Sequence, residues 1–364
     1  MSKGLIHKLL TFLVLFIGFT LLLSYLSSYV SPTIFYLPTF LNLFYLPLIF
    51  SVFVLLLITV FFRRWKDFIF LVFVIIVGFN RHKQYFVLNP KVVSNCDDKV
   101  IKLMTYNVRV FNLYDWVKNV RYKNSIINLI HSVSPDILCL QEYVYDERKI
   151  FNTRDTLLNL LGYKYYKESF YTEKKYFHFG SAIFSRYPII DSKAYDLDGG
   201  RIFFVFHKIV FPDNDTIYLF NVHLQSIKFS YREYMYLDSL KKNLENKKIQ
   251  RFVPILKKIK RAFQLHTIQA DSIINLIKKS NNKIIVCGDF NDIPGSYTYS
   301  MFNEILKDAF VSSGSGFGFT FNRFFLPYRI DFIFVDKRFN TKNTIVIKKS
   351  FSDHYPVITN ICCK

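Results

Sequence analysis

Charged side chains are absent from the sequence between Lys8 and Arg63. This charge-free run is too long for the core helix of an ordinary soluble protein, whereas a membrane-spanning helix needs about 20 apolar residues. It therefore predicts two spanning helices, Leu9–Leu26 and Phe40–Phe62, separated by polar and proline residues around Ser31. A cleaved signal peptide is the alternative for the first helix, but the sequence lacks a small-residue cleavage site after it.

A third apolar segment, Phe68–Phe79, also lacks charge. Twelve helical residues extend only about 18 Å, which is short for a bilayer core of about 30 Å. Snorkelling of flanking side chains such as Lys66 and Lys83 would extend its reach. The alternative is an amphipathic or re-entrant segment, so residues 1–90 are predicted to be a transmembrane region of two or three helices.

The basic residues around these segments predict an orientation. The positive-inside rule puts the amino terminus, with Lys3, and the Arg63–Lys66 loop in the cytoplasm. If the third segment crosses, the remaining chain lies outside the cytoplasm. If it does not cross, that part stays in the cytoplasm beside nucleic acid. We expect crossing, because the segment is so strongly apolar, and hence a multi-pass cell-membrane protein with an extracytoplasmic domain.

Acidic residues are scarce, with 27 Asp and Glu against 48 Lys and Arg and a net charge of +21. Residues 91–364 contain 41 of the basic and 26 of the acidic residues. Such a charge favours polyanionic partners such as nucleic acid or anionic lipid, although AT-biased coding produces a similar Lys- and Asn-rich composition. The five cysteines show no disulfide framework.

Basic side chains concentrate between Tyr231 and Arg261, in a stretch with the composition of a helix. One interpretation is a solvated helical face, the usual role of a charge run. The other is a surface beside the active site that faces a polyanion or lipid headgroups. The sequence leaves both open.

After Pro90 the pattern changes to short apolar runs separated by polar helices, so residues 91–364 are predicted to be a separate domain. Lys123–Val133 and Phe263–Lys279 carry apolar residues at the spacing of amphipathic helices. This mixture predicts a layered α/β fold with sheets buried beneath helices. The strand-like runs are Lys102–Tyr106, Ile137–Leu140, Ala182–Phe184, Phe203–Ile209, Ile217–Val222, Ile284–Cys287, Ile330–Val335 and Pro356–Ile361.

Polar residues stand at the ends of six of these runs. A lone Asp or Asn after a strand is usually a turn former or helix cap, and a lone His is usually structural. Six such sites together suggest a catalytic site. Carboxylate-rich sets suit Mg²⁺ or Mn²⁺, and the histidines and asparagines complete the groups that hydrolysis of a phosphate ester requires. The residues are Asn107, Glu142, His223, Asp289, Asn291, Asp331, Asp353 and His354.

The segments that carry these residues resemble, in this order, the endonuclease/exonuclease/phosphatase superfamily. The similarity covers residues 99–361 and depends most on Gly288-Asp-Phe-Asn291, Arg-Ile-Asp331 and Ser352-Asp-His354. It implies a four-layer α/β sandwich, in which helices flank two central mixed sheets and the active site lies at one edge of them.

The resemblance implies a metal site. Glu142 resembles the principal metal-binding glutamate of the family, Asn107 helps to position metal and phosphate, and Asp353 lies in or just outside the metal shell. The implied cofactor is Mg²⁺, with Mn²⁺ as the alternative. Arg109 is a departure, since some nucleases carry an acid there, and a second metal contact at that position is in doubt.

The resemblance also implies catalytic roles for the remaining residues. Asp289 would orient and deprotonate the attacking water, and Asn291 would donate to a phosphate oxygen in the transition state. Asp331 would pair with His354 and raise its pKa. His223 would protonate the leaving oxygen.

The predicted function is therefore divalent-metal-dependent hydrolysis of phosphoesters at a membrane, by a phosphodiesterase of nuclease or phospholipid type. The alternative is a catalytically inactive, membrane-anchored module that binds nucleic acid or anionic lipid. Retention of all eight polar residues argues against that alternative. No protein partner can be inferred.

Overall fold

The computed structural model describes residues 3–88, 100–115, 121–196, 202–212, 215–227, 229, 230, 233, 236, 249–321, 323 and 326–362. The first of these ranges is helical apart from its turns and its last residues, where Val87 forms an isolated β-bridge with Gly316. Its helices are α1 (Lys3–Tyr25), α2 (Leu37–Asn42), α3 (Tyr45–Phe61), α4 (Trp65–Val77) and α5 (Phe79–Tyr85).

Helices α1, α3 and α4 form an up-down-up bundle. At one end, Arg64 donates to the carbonyl oxygen of His7 over 2.7 Å. At the other end, the Tyr25 hydroxyl donates to the carbonyl oxygen of Val74 over 3.4 Å. The bundle interior and its exterior are both apolar, since Leu57 is 74% exposed on α3 while Val52 on the same helix is fully buried.

One of the described helices, Gly4–Ser28, is long and apolar enough to cross a membrane, with a mean hydropathy of 2.4. Helix α3 is apolar but has 17 residues, and α4 has 13, or about 20 Å. The predicted span Phe40–Phe62 is interrupted at Leu43 and Phe44, between α2 and α3. Length and composition therefore support the first predicted span only.

The rest of the described chain contains two six-stranded mixed sheets. Sheet I has the strand order β11-β12-β1-β2-β4-β3, and sheet II has β5-β6-β7-β8-β10-β9. All eight predicted runs fall on strands. The strands are β1 (Val100–Asn107), β2 (Ile137–Asp146), β3 (Tyr165–Lys174), β4 (Phe177–Ser185), β5 (Ile189–Tyr195), β6 (Phe204–Val210), β7 (Thr216–His223), β8 (Lys283–Asp289), β9 (Leu306–Asp308), β10 (Asp331–Asp336), β11 (Asn340–Val346) and β12 (Val357–Cys362).

Among the described residues, five α-helices accompany the sheets: α6 (Arg121–Val133), α7 (Arg154–Leu161), α8 (Ile249–Lys278), α9 (Tyr297–Ile305) and α10 (Ala309–Ser313). The predicted helix Phe263–Lys279 is the second half of the longer α8. Residues 249–261 of the predicted basic stretch form the start of α8, whereas Lys241, Lys242, Lys247 and Lys248 lie outside the described residues.

The layers follow from the alternation of side chains along each strand. Leu103 and Cys139 of sheet I pack against Leu219 and Ile285 of sheet II, so this cluster lies between the sheets. The opposite face of sheet I packs against α6 and α7, through residues such as Ile130 and Leu157. The opposite face of sheet II packs against α8 and α9, through residues such as Ile273 and Phe302. The predicted four-layer α/β sandwich is confirmed.

Candidate active site

Three predicted site residues lie side by side at the end of sheet II. His223 is the last residue of β7 and is opposite Asp289, the last residue of β8. Asp289 is in turn opposite Asp331, the first residue of β10. Directly opposed residues of neighbouring strands point to the same face of the sheet, and all three side chains are buried. The strand register therefore brings two carboxylates and an imidazole together.

Sheet I contributes two more residues to the same place. Asn107 ends β1, and its Nδ2 atom donates to Oδ2 of Asp289 over 2.9 Å. The Oε1 atom of Glu142 lies 3.7 Å from Nε2 of His223, and Oδ2 of Asp289 lies at the same distance from that nitrogen.

Glu142 does not end its strand, contrary to the sequence interpretation. Strand β2 continues to Asp146, and its pairing with β4 is irregular between Leu140 and Tyr143. Glu142 has a φ of 49°, a left-handed conformation that is rare for a residue other than glycine. A bulge of this kind turns a side chain away from the regular alternation, and here the side chain faces His223.

A buried polar contact, which sequence reasoning missed, joins the two sheets behind the site. Gln141 Nε2 donates to Oδ1 of Asn221 over 2.7 Å. Asn221 in turn donates to the carbonyl oxygens of Leu140 and Ala182 over 3.3 and 3.2 Å. The available signal was that Asn221 stands two residues before His223 and therefore points to the same face of β7.

His354 lies next to both Asp289 and Asp331 and pairs with Asp331. Its Nδ1 atom donates to Oδ2 of Asp331 over 2.9 Å, and its Nε2 atom lies 3.7 Å from Oδ2 of Asp289. Burial alone would lower the pKa of His354, but the charge of Asp331, followed by that of Asp289, outweighs burial and raises it. Thr320 fixes this corner, because its Oγ1 accepts from the backbone N–H of Asp331 over 3.1 Å.

Asp289 is at the centre of the site. Besides the amide of Asn107, it accepts the backbone N–H of Asn291 over 2.8 Å. Burial raises the pKa of Asp289, and the charge of His354 opposes that rise. Asn291 adopts a φ of 50°, and its Nδ2 donates to the carbonyl oxygen of Leu224 over 3.1 Å.

Asp353 lies against two guanidinium groups rather than against Asp289 and Asp331. Its Oδ2 lies 3.4 Å from Nε of Arg109 and 3.7 Å from an Nη of Arg323. Arg109 begins four consecutive residues in the left-handed region, which end at Asn112. The left-handed conformation destabilises the folded state by about 1–2 kcal/mol for each such residue. Asn112 restrains this segment, since it accepts from Arg109 over 3.1 Å and donates to the carbonyl of Phe351 over 2.6 Å.

The residues fit a divalent cation. Within the described residues, carboxylate oxygens of Asp289 and Asp331 and a ring nitrogen of His354 all lie within 4.8 Å of one another. The carboxylates are the cation donors of this group, because a protonated imidazole has no free lone pair. Asp289 and Asp331 supply two buried carboxylates. Glu142 adds a third, since it faces His223 as Asp289 does. Together they form an oxygen-rich and net anionic set. Hard cations prefer such donors, and a cation would offset the burial that disfavours ionised Asp289.

Comparison with known families shows which family the chain belongs to. The sequence profile of the Endonuclease/Exonuclease/phosphatase family matches residues 104–354. The chain belongs to this family. Members of the endonuclease/exonuclease/phosphatase family are hydrolases that act on phosphoesters, and the matched range contains all eight predicted site residues. A second profile, that of a domain of unknown function (DUF8431), matches residues 7–85.

Solved structures share the family fold. An endonuclease/exonuclease/phosphatase from Beutenbergia cavernae has 16% identity and a TM-score of 0.51, and the match covers 72% of each chain. A family protein from Bacteroides thetaiotaomicron has 17% identity and a TM-score of 0.50, over 73% of this chain and 98% of the other. At these identities the likeness concerns the fold alone. No curated protein matches the sequence.

Proposed function

We propose that the protein is a membrane-anchored, divalent-metal-dependent phosphodiesterase. The observation that carries this proposal is the convergence of His223, Asp289 and Asp331 on adjacent strands with Asn107 of the other sheet. Two carboxylates, an imidazole and an amide donor around one point are the groups that phosphoester hydrolysis needs.

Glu142, Asn107 and Asp353 are the residues proposed to hold the metal, with Asp289 beside them. A bound Mg²⁺, or Mn²⁺, would offset the charge of the phosphoryl oxygens in the transition state. Asp353 also contacts Arg109 and Arg323, which supports a position for Asp353 at the outer side of the proposed metal ligands.

The other residues supply proton transfer and charge stabilisation. The oxygen of a water molecule forms a bond to phosphorus as the ester P–O bond breaks. Asp289 takes the proton of that water, and protonated His223 gives a proton to the leaving oxygen. His354, held as an imidazolium by Asp331, and Asn291 donate to non-bridging phosphoryl oxygens.

The proposed domain boundary is near residue 90, with a transmembrane region in 1–90 and the catalytic domain in 91–364. The two profile matches, 7–85 and 104–354, support this division. The apolar exterior of the bundle supports a lipid environment, since Phe50 and Phe61 are 68% and 80% exposed.

The proposed location of the catalytic domain is outside the cytoplasm. Arg64 and His7 meet at one end of the bundle, and the positive-inside rule assigns that end to the cytoplasm. Tyr25 and Val74 meet at the opposite end, from which the chain continues to the catalytic domain. A fusion after Asn95 tests this. Alkaline phosphatase should be active there and green fluorescent protein dark, and the reverse result would place the domain in the cytoplasm.

Hydrolysis of bis-p-nitrophenyl phosphate tests the function. Detergent-solubilised full-length protein should release nitrophenol with Mg²⁺ or Mn²⁺ and lose this activity with chelator. Asp289→Ala should abolish it. Equal product from Asp289→Ala and wild type would refute the assignment. Retention of nucleic-acid or lipid binding without any metal-dependent cleavage would favour the inactive binding module instead.

A further inference from the structure

The cavity beside the catalytic residues has two chemically different ends. Its volume is about 350 Å³, within the range of about 300–1,000 Å³ for small-molecule sites. Glu142, Asp289 and His354 line one end. The other end is an apolar wall that consists of Leu43, Ile227, Phe229, Ile259 and Phe263. A ligand that fills both ends carries a phosphate group joined to a hydrophobic group.

The apolar wall is built by both regions of the chain. Leu43 comes from the turn between α2 and α3, and its carbonyl oxygen accepts from the Tyr328 hydroxyl over 3.2 Å. Ile259 and Phe263 come from the first half of α8, where they are 5% and 2% exposed. Phe40 of α2 packs against the same cluster. The wall therefore leads from the helical region to the catalytic residues.

The loop that follows Asp289 also rests on the helical region. Asn42 donates to the carbonyl oxygen of Pro294 over 3.0 Å, and Ser27 donates to that of Gly295 over 2.7 Å. Asn42 and Ser27 are both buried. Because these contacts fix the catalytic loop on the end of the bundle, the cavity lies at the bilayer surface if the bundle lies in the bilayer.

The surface around this junction suits lipid headgroups. Tyr29 and Ile34, between α1 and α2, are 80% and 85% exposed. Lys260 and Arg261 of α8 are exposed nearby, and the Lys260 ammonium lies 4.8 Å from the centre of the Tyr36 ring. Aromatic and apolar side chains next to basic ones are typical of the membrane interface, where anionic headgroups attract Lys and Arg.

The described lining of the cavity contains aromatic rings but no Lys or Arg side chain. Binding of a single strand uses a positively charged groove that follows several phosphates, together with aromatic faces for stacking. One end of the cavity holds the catalytic residues and the other is hydrophobic. Such a cavity suits one phosphate group that carries a hydrophobic substituent.

We infer that the substrate is a membrane phospholipid, with its phosphodiester at Asp289 and His354 and part of an acyl chain against the apolar wall. This inference rests on the proposed phosphodiesterase function. Water is the only co-reactant, and hydrolysis of one P–O bond leaves an alcohol and a phosphomonoester. The lipid reaches the site from the bilayer without leaving it completely.

A substrate comparison tests the inference on full-length protein in detergent with Mg²⁺ or Mn²⁺. The probes are vesicles of dioleoyl phosphatidylglycerol and phosphatidylethanolamine, single-stranded DNA and RNA oligonucleotides, and bis-p-nitrophenyl phosphate. The vesicle lipid should be hydrolysed at least 100-fold more efficiently than bis-p-nitrophenyl phosphate. Faster hydrolysis of an oligonucleotide, or hydrolysis of bis-p-nitrophenyl phosphate without hydrolysis of the lipid, would overturn the inference. Failure of every substrate would refute the proposed function itself.

A pair of matched substitutions tests the apolar wall. Ile227→Asn should lower the ratio of the lipid rate to the bis-p-nitrophenyl phosphate rate by tenfold or more. Ile268→Asn, at a position on α8 that is 45% exposed, should leave this ratio unchanged. An unchanged ratio in Ile227→Asn would show that the wall does not bind the lipid.

A binding measurement is independent of catalysis. Phosphatidylglycerol with a diazirine in its acyl chain is photolysed with the protein in chelator, and the labelled peptides are identified by mass spectrometry. Label should appear on α8 near Ile259 and Phe263 and should decrease in Ile227→Asn. Label confined to the exterior of α1, α3 and α4 would contradict the inference.

Discussion

The Nδ1 atom of His354 donates to Oδ2 of Asp331 across 2.9 Å, and both side chains are buried. The two residues are brought together by the start of β10 and the segment before β12, which belong to different sheets. Asp331 holds the ring in one orientation, with Nε2 directed at Asp289. We therefore expect the pair to act as one unit in catalysis.

We predict non-additive effects for this pair. Asp331→Asn and His354→Ala should each reduce kcat by about 100-fold or more, and the double variant should be little worse than either single one. Steady-state kinetics on bis-p-nitrophenyl phosphate measure this. Losses in kcat that multiply fully would show that the two residues act independently.

The second prediction concerns the metal. Glu142→Gln removes one charge with little change in shape, so it should lower the rate by about a hundredfold or more and weaken Mn²⁺ binding, measured by calorimetry. Glu173→Gln is the matched control, because the Glu173 side chain is 69% exposed. Metal affinity and activity in Glu142→Gln equal to those of the control would refute the assignment of Glu142.

The third prediction concerns acid stability and His207. This residue is fully enclosed in β6, where its Nδ1 lies 2.8 Å from the Ser192 hydroxyl, and burial, together with the charge of Lys167, lowers its pKa to about 3. The unfolded chain has a histidine pKa near 6.5. Between these values only the unfolded state binds the proton, so the free energy of unfolding should fall by about 1.4 kcal/mol per pH unit as pH drops from 6.5 toward 3.

His207→Gln removes this term. Between pH 7 and pH 5, the free energy of unfolding of the variant should therefore fall by about 2 kcal/mol less than that of the wild type. Thermal unfolding at both pH values measures this difference. The control is His131→Gln, on an exposed position of α6, and it should follow the wild-type pH dependence. A wild-type slope in His207→Gln would show that another group is responsible.

The fourth prediction concerns the contact between the helical region and the catalytic domain. Arg81 is buried and donates to the carbonyl oxygens of Gly295 and Tyr25 and to the Ser28 hydroxyl. Hydrogen bonds from charged groups contribute about 1.5–3 kcal/mol, so Arg81→Leu should destabilise the protein by about 3 kcal/mol. Lys83→Leu, an exposed position on the same helix, should change the unfolding midpoint little. Similar midpoints for the two variants would contradict this role of Arg81.

The missed strands have a common location. Strands β3, β5, β9 and β11 were not predicted, and they are the four edge strands of the two sheets. An edge strand is covered on fewer sides, so its sequence need not be a continuous apolar run. Strand β3 has exposed residues at both ends, whereas β8 is buried along nearly its whole length. The interior strands were visible because burial on both faces demands apolar residues.

The sequence determined the interior strands, the layered fold and the residues that follow the strands, because each of these depends on neighbours along the chain. It did not determine the left-handed bulge at Glu142, which depends on pairing between β2 and β4. Nor did it determine the apolar wall, in which Leu43 meets Phe263 only after the helical region docks on α8. Long-range packing brings these side chains together, and a residue's position in the chain does not show which distant side chain will face it.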